Sequence, residues 1–424
     1  MRTGKRMITL FRIVGLLCVS AVAGPAQSAA YDYSSAIRLA VDRWLAVQRP
    51  SGFLPYGFDF LADKESERRF LSKQNLARQA NTAAALADYY AFTKDPRARP
   101  ALEKFLTAFG RHSLPIGKSL PQRLIEQTRL LPLLAGRRRI SRALEQWHLL
   151  FEKQGPGKVL SPNTDYHGAY TGTVAMALLT ELRFVRTSGD ARFADLRQAW
   201  LQALLDLRIP GGGFRSYPTT VDPAAYSDGQ AWLALAEYHG QFPQDARVAE
   251  ILATVDDRLI KIYGSEFNIA FYHWGTMAAA ARYADSKDPR FLHLIKYLTS
   301  EFLDRKRQIA PYNDCTSVEG LADALGALVS AGEGTGELAE RVRRWVAREM
   351  TKTVKLQIRP GQKELTFANA RVVAPRLQEY AGSFLAGSYE LKTQVDYTSH
   401  CVSAMIKLQR QNRMTAAALQ SPHR

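Results

Sequence analysis

The feature that most restricts how this chain can fold is a helix with no wet face. Residues 229–239 run through Ala231, Trp232, Leu233, Ala234, Leu235 and Ala236 without a polar break. A helix apolar all round has to be covered all round. Its approach is as distinctive: Gly211-Gly212-Gly213 frees the backbone after a helical run at 191–207. Phe214, Arg215 and Tyr217 follow, and Ser227 or Asp228 is the expected N-cap. A polar, aromatic cluster therefore stands at the mouth of a buried helix.

The same pattern recurs along the chain. Small, apolar helices are expected at 74–92, 167–185, 272–284 and 317–331. Amphipathic ones are expected at 34–48, 95–111, 190–207, 245–263, 288–303 and 336–350, two of them opened by Asp-Pro. A further pair is expected at 122–134 and 140–153, with Pro132 kinking or ending the first, and a last helix at 398–410. Residues 351–395 are the least regular and suit short strands or an excursion. Covered helices joined to half-wet ones by short turns one way and long aromatic loops the other are what an all-α, (α/α)6 toroid demands. A solenoid would show a fixed 34- or 40-residue consensus, and none is seen; an ordinary helical bundle is the other alternative.

Composition narrows the class. Residues 1–6 are basic, 13–24 are apolar and Ser28-Ala29-Ala30 suits cleavage, so residues 1–30 read as a signal peptide. The expected product is periplasmic or secreted, with no transmembrane anchor left, one toroid domain over 31–412 and a disordered tail from 413. Loss of four basic residues with the signal takes the net charge from +17 to +13. In an exported protein that balance favours an anionic polysaccharide as partner. No basic block is interleaved with aromatics, which argues against nucleic acid. Cys315 and Cys401 have no CxxC partner and no zinc spacing, so neither metal nor cofactor is expected. Both lie at starts of inner helices, where a bridge and two buried, unpaired thiols are the alternatives.

The starts of the inner helices collect the candidate site. They carry Arg78, Gln79 and Asn81; Arg123, Glu126 and Gln127; Asp165, His167 and Tyr170; Tyr217, Tyr226, Asp228 and Gln230. Tyr272, His273 and Trp274 follow, then Asp314 and Glu319, then Asp396, Tyr397 and His400. Flat rings for the C–H face of a sugar, and amides and carboxylates for its hydroxyls, are what saccharide recognition uses. Asp228, Asp314 and Asp396 also read as simple caps, Tyr272 and Trp274 as core, and the histidines as structural. Glu319 sits in the first turn of a buried helix, where a carboxylate is costly unless paired or used. Thr316 offers it a capping box instead, and Asp323 shares its face.

The alternation resembles the six-hairpin, (α/α)6 carbohydrate-active proteins. Gly212, Gly213, Tyr217, Pro218, Thr219, Gly229 and Tyr238 further resemble the C-terminal helical domain of D-glucuronyl C5-epimerases, with Ser216 where that family usually has an acidic residue. The resemblance implies the fold and a polyuronide-type ligand. A glycoside hydrolase is the expected function, with two alternatives. A glycoside hydrolase on an acidic exopolysaccharide would use paired carboxylates from Asp228, Asp314 and Glu319, with His400 beside them. A uronic-acid epimerase or lyase would use Tyr226, Tyr397 or His400 as base and Arg78 or Arg215 as carboxylate clamp. A non-catalytic binding or assembly factor would use the same aromatics alone. Geometry separates them.

Overall fold

A computed structural model describes residues 32–66, 73–116, 156–162, 168–209, 211–220, 222–306 and 310–420. The expected signal, the pair at 122–153 and the motif at 165–167 lie outside the described residues. Helices alternate between two layers. The outer ones are α1 (Ser34–Val47), α3 (Ala98–Arg111), α5 (Ala194–Leu207), α7 (Ala246–Tyr263), α9 (Pro289–Arg305) and α11 (Glu337–Thr353). The inner ones are α2 (Lys73–Thr93), α4 (Thr171–Ser188), α6 (Ala225–Gln241), α8 (Ile269–Ser286), α10 (Cys315–Ser330) and α12 (Val395–Gln420). Each inner helix packs on the next, and α12 returns to α2, so six pairs close a ring: an (α/α)6 toroid.

The layers follow from the side chains. On α7 the buried residues Val248, Leu252, Val255 and Leu259 repeat every three or four positions, leaving one face for water. On α8, residues Phe271 to Ala279 are buried in unbroken succession. The expected starts hold at two outer helices. Asp288 accepts from the Arg290 N–H at 2.9 Å with Pro289 next in line, and Asp245 accepts from the Val248 N–H at 3.2 Å. Small residues bring inner helices close. A Cβ added at Gly229 would stand 2.7 Å from the Trp274 Cβ, so α6 and α8 meet there only because position 229 has none. Among the described residues no helix is long and apolar enough to cross a membrane.

The irregular stretch is a small sheet at the mouth. Strands β1 (Gly57–Asp59), β2 (Lys64–Glu65), β7 (Leu385–Gly387) and β8 (Glu390–Gln394) pair antiparallel in the order β2-β1-β8-β7, with Phe58 opposite Thr393. Two hairpins flank it: β3 (Ser113–Pro115) with β4 (Lys158–Leu160), and β5 (Glu364–Phe367) with β6 (Ala370–Val373). Phe58, Ile358, Leu377, Tyr380 and Leu391 give the excursion its own apolar core. Strand β8 runs into α12 without a loop, and so fixes where α12 begins.

Two boundaries differ from expectation. Helix α6 starts at Ala225, which puts Ser227 and Asp228 inside its first turn; Ala224 is the N-cap and supplies no side-chain bond. Helix α12 continues through Gln420, past the expected tail boundary at 413. Its Ala416-Ala417-Ala418 run is among the best helix formers.

Candidate active site

Three buried side chains from three inner helices meet at one oxygen. Glu319 on α10 places Oε2 at 2.6 Å from Nδ1 of His400 on α12 and 2.9 Å from Nε2 of His273 on α8. All three are nearly inaccessible. Glu319 is therefore not the partner of a capping box. Its helix position aims it across the ring axis, where two imidazoles offset the cost of burying its charge.

This setting drives the three groups apart electrostatically. Burial pushes the Glu319 carboxyl up, but the charges and hydrogen bonds of His400 and His273 outweigh it and hold it well below its usual range. Burial lowers His273, and its contact with Glu319 does not make up the difference. His400 is also pushed down by burial, yet the Glu319 charge and hydrogen bond raise it above the usual histidine value. One imidazole is biased toward the neutral form and its neighbour, 5.4 Å away between ring centroids, toward the charged form. Opposed pKa shifts in adjacent groups mark an acid and a base.

The surrounding residues hold this trio in place. The Asn81 amide nitrogen is 3.1 Å from His400 Nε2 and donates to Ser399 Oγ at 3.2 Å. With its amide turned, Asn81 accepts from the charged imidazole instead. Trp274 lies with its ring centroid 4.2 Å from His273 and 6.2 Å from both His400 and Tyr226. Tyr226 is 39% exposed, so the aromatic pair reaches from the trio to solvent. Beside it Arg78 Nε contacts Asp396 Oδ2 at 2.9 Å, and both charges act on His400 and Tyr226. Asp396 Oδ1 is buried with no hydrogen-bond partner among the described residues. The Arg78 guanidinium lies over Tyr56 at 5.2 Å, and Tyr397 feels both Asp396 and Arg78. Tyr170 and Tyr217 form a second aromatic pair, with centroids 5.6 Å apart, near Tyr226 and Asp228. Gln230 is buried in α6 with Oε1 unpartnered among the described residues.

Four expected site residues are engaged elsewhere. Asp228 accepts from the Phe214 N–H at 2.6 Å and from the Tyr263 hydroxyl at 2.7 Å. It clamps the loop in which Gly211, Gly212 and Gly213 take φ of 86°, 97° and 93°, a run open to glycine alone. Burial raises its carboxyl to about 6 despite those bonds. Asp314 accepts from Ser317 Oγ at 2.6 Å, and its own N–H donates to Glu349 of α11, so it fastens the helix start to the outer layer. Gln79 exchanges two hydrogen bonds of 2.9 Å with the Leu54 backbone and so pins the 50–59 loop. Tyr272 stacks on Phe302 of α9 at 4.3 Å between centroids and is core. Asp323 does not pair with Glu319 as a second acid; it binds Lys407 of α12. Asp165 and His167 lie outside the described residues, as do Arg123, Glu126 and Gln127.

Beneath the trio is a cavity of about 10 Å3, room for roughly one water, lined by Asn81, Trp274, Glu319, Arg183 and Ser403 among others. Arg183 there is held by Asp88 at 2.8 Å and by Glu237. These charges escaped the sequence reading, although a lone Arg or Lys within an otherwise apolar inner helix marks such a buried pair. The trio's ligand atoms lie within 4.8 Å of one another, close enough to consider a metal. Donors around a tetrahedral zinc at about 2.0–2.1 Å stand about 3.3 Å apart. The 2.6 Å contact is shorter than that and is the length of a shared proton.

No protein-family model matches the chain, and no curated protein matches it in sequence. Solved structures do match. An inactive variant of the alpha-1,6-mannanase GH76A of Salegentibacter sp. HEL1_6, in complex with alpha-1,6-mannotriose, aligns with a TM-score of 0.53 at 10% identity, over 89% of this chain and 99% of that one. An unsaturated glucuronyl hydrolase specific for heparin gives 0.54 at 10% identity over 89% and 97%. A sugar epimerase from a ruminal bacterium gives 0.53 at 12% identity over 89% and 98%. At such identities the likeness is one of fold, and the fold they share with this chain is the six-hairpin (α/α)6 barrel.

Proposed function

We propose that this protein is a carbohydrate-active enzyme that moves protons on an acidic polysaccharide, as a uronic-acid epimerase or lyase. The observation that carries this reading is the buried Glu319 shared by a lowered His273 and a raised His400. A carbon beside a uronate carboxylate loses its proton to the neutral imidazole of His273. The electron pair passes into the carboxylate, whose charge Arg78 offsets by exchanging Asp396 for the substrate. The charged imidazole of His400 returns a proton, to the same carbon for epimerisation or to the departing glycosidic oxygen for elimination. Trp274 and Tyr226 offer the flat faces against which a sugar ring stacks.

Substrate charge and compartment belong to the same proposal. A net charge of +13 after loss of residues 1–30 suits an anionic polymer outside the cytoplasm, in the periplasm or secreted. Paired-carboxylate hydrolysis is the second reading, supported by the likeness to two glycoside hydrolases. Among the described residues its candidate acids are spoken for: Asp228 holds a loop, Asp314 holds a helix start, and Glu319 is held ionised, with no proton to give.

Incubation of the purified chain with a panel of acidic and neutral polysaccharides tests the proposal. Unsaturated product or a change of uronate configuration on an acidic polymer is the expected result. New reducing ends without either product, on any polymer, would replace it with hydrolysis.

A further inference from the structure

Helices α10 and α12 are joined by three successive cross-links. Cys315 at the start of α10 is bonded to Cys401 of α12, with Cα atoms 4.9 Å apart. One turn on, Glu319 meets His400. A further turn on, Asp323 meets Lys407. The spacing on α10 is 315, 319, 323, so all three project from one face. Of the three, the disulfide lies nearest the mouth, and it touches the trio through the chain itself: Cys401 follows His400 directly.

The bridge sits in a specific frame. Asn313 accepts from the Cys315 N–H at 3.0 Å, its amide nitrogen is 3.1 Å from Cys401 Sγ, and its own backbone N–H donates to the Ala386 carbonyl in β7 at 2.7 Å. Helix α12 takes its start from β8, which belongs to the excursion and not to the ring. A swing of that sheet would turn the first two turns of α12 about its axis and carry His400 away from Glu319. The ion pair below cannot prevent this, because a lysine tether is long and pivots. The covalent link can.

We propose that the Cys315–Cys401 bridge is a positioning device: it holds the first turns of α10 and α12 in the one rotation at which His400 Nδ1 reaches Glu319. Both sulfurs are buried, 1% and 0% exposed, so the bridge is shielded from passing thiols and acts as a fixed strut. The inference rests on reading the trio as the proton-transfer group, and its test needs no substrate.

The test is proton NMR of the full chain. The N–H shared between His400 and Glu319 is enclosed and should give a far-downfield, slowly exchanging resonance, assigned by its loss in His400→Gln. In Cys315→Ser/Cys401→Ala the expected result is a native far-ultraviolet circular dichroism spectrum with that resonance lost or exchanging at least tenfold faster. If a substrate has been found, kcat falls by more than tenfold with KM little changed. A variant that keeps the resonance at its wild-type exchange rate overturns the proposal. So does a variant that loses its helical spectrum altogether, because the bridge would then serve the whole fold. If the resonance behaves as expected but the polysaccharide panel shows no proton chemistry, the bridge still positions the pair and only the proposed function falls.

Discussion

Glu319 carries most of what is asked of this site, and its surroundings set the sign of its effects. Its pKa is lowered, so its pairing adds stability above the unfolded value of 4.5, and that stability is lost as pH falls through the lower folded value. His400 is raised, so its part is present below 6.5 and lost as pH rises through its higher folded value. Glu319→Gln removes the charge that raises His400, so the fall in urea-unfolding midpoint above pH 6.5 should disappear in that variant. The same change takes away the carboxylate that orients both proton-transfer histidines, and should cut turnover by roughly 10²–10⁴. Asp228 has the opposite sign. Its carboxyl is raised from 3.8 to about 6, so the fold loses about 3 kcal/mol as pH climbs through that interval. Asp228→Asn keeps the bond from the Phe214 N–H and turns the other into an amide donor to the Tyr263 oxygen, so it should abolish that slope and leave turnover within a few-fold. A sequence shows that both residues are costly acids near buried helices. It does not show which way each points, because that depends on where Phe214, Tyr263 and the two histidines arrive from elsewhere in the chain.

At the scale of helices and loops, the inner and outer layers are legible because burial acts on nearly every residue of an inner helix and on only one face of each turn of an outer one. Helix α8, with Phe271 to Ala279 all enclosed, and α9, with its Asp288-Pro289 start, are where this reading holds most simply. Starts of inner helices were less legible. Asp228 looked like an N-cap because it precedes a glycine and an apolar run, yet Ala224 holds that position and the aspartate is spent on the glycine loop. The neighbouring Cys315 and Cys401 could be read either way from sequence, since adjacency depended on the ring closing between α10 and α12. They are bonded. Thiol titration of residues 31–424, denatured and unreduced, should find none; two would contradict the pairing. Metal chelation should leave turnover unchanged, since the 2.6 Å contact between His400 and Glu319 has the length of a shared proton; loss of activity on chelation that zinc restores would reassign the trio.

On the scale of the whole molecule, the toroid turns six helix starts toward one mouth, and three of them deliver His273, Glu319 and His400 to a common point. Ring closure is what makes this possible: α12 lies between α10 and α2, so Asn81 and Glu319 both reach His400 although they are far apart in the chain. Neither α2 nor α10 alone encodes a site. The central claim is that this group moves protons on a sugar carbon, and solvent-deuterium incorporation tests it most directly. With an acidic polymer on which the wild-type chain proves active, in heavy water, mass spectrometry of the recovered sugars should show one deuterium on a ring carbon, or an unsaturated residue in its place, with wild type and neither with Glu319→Gln. Shortened chains bearing new reducing ends, with no deuterium on carbon and no unsaturation, would contradict it.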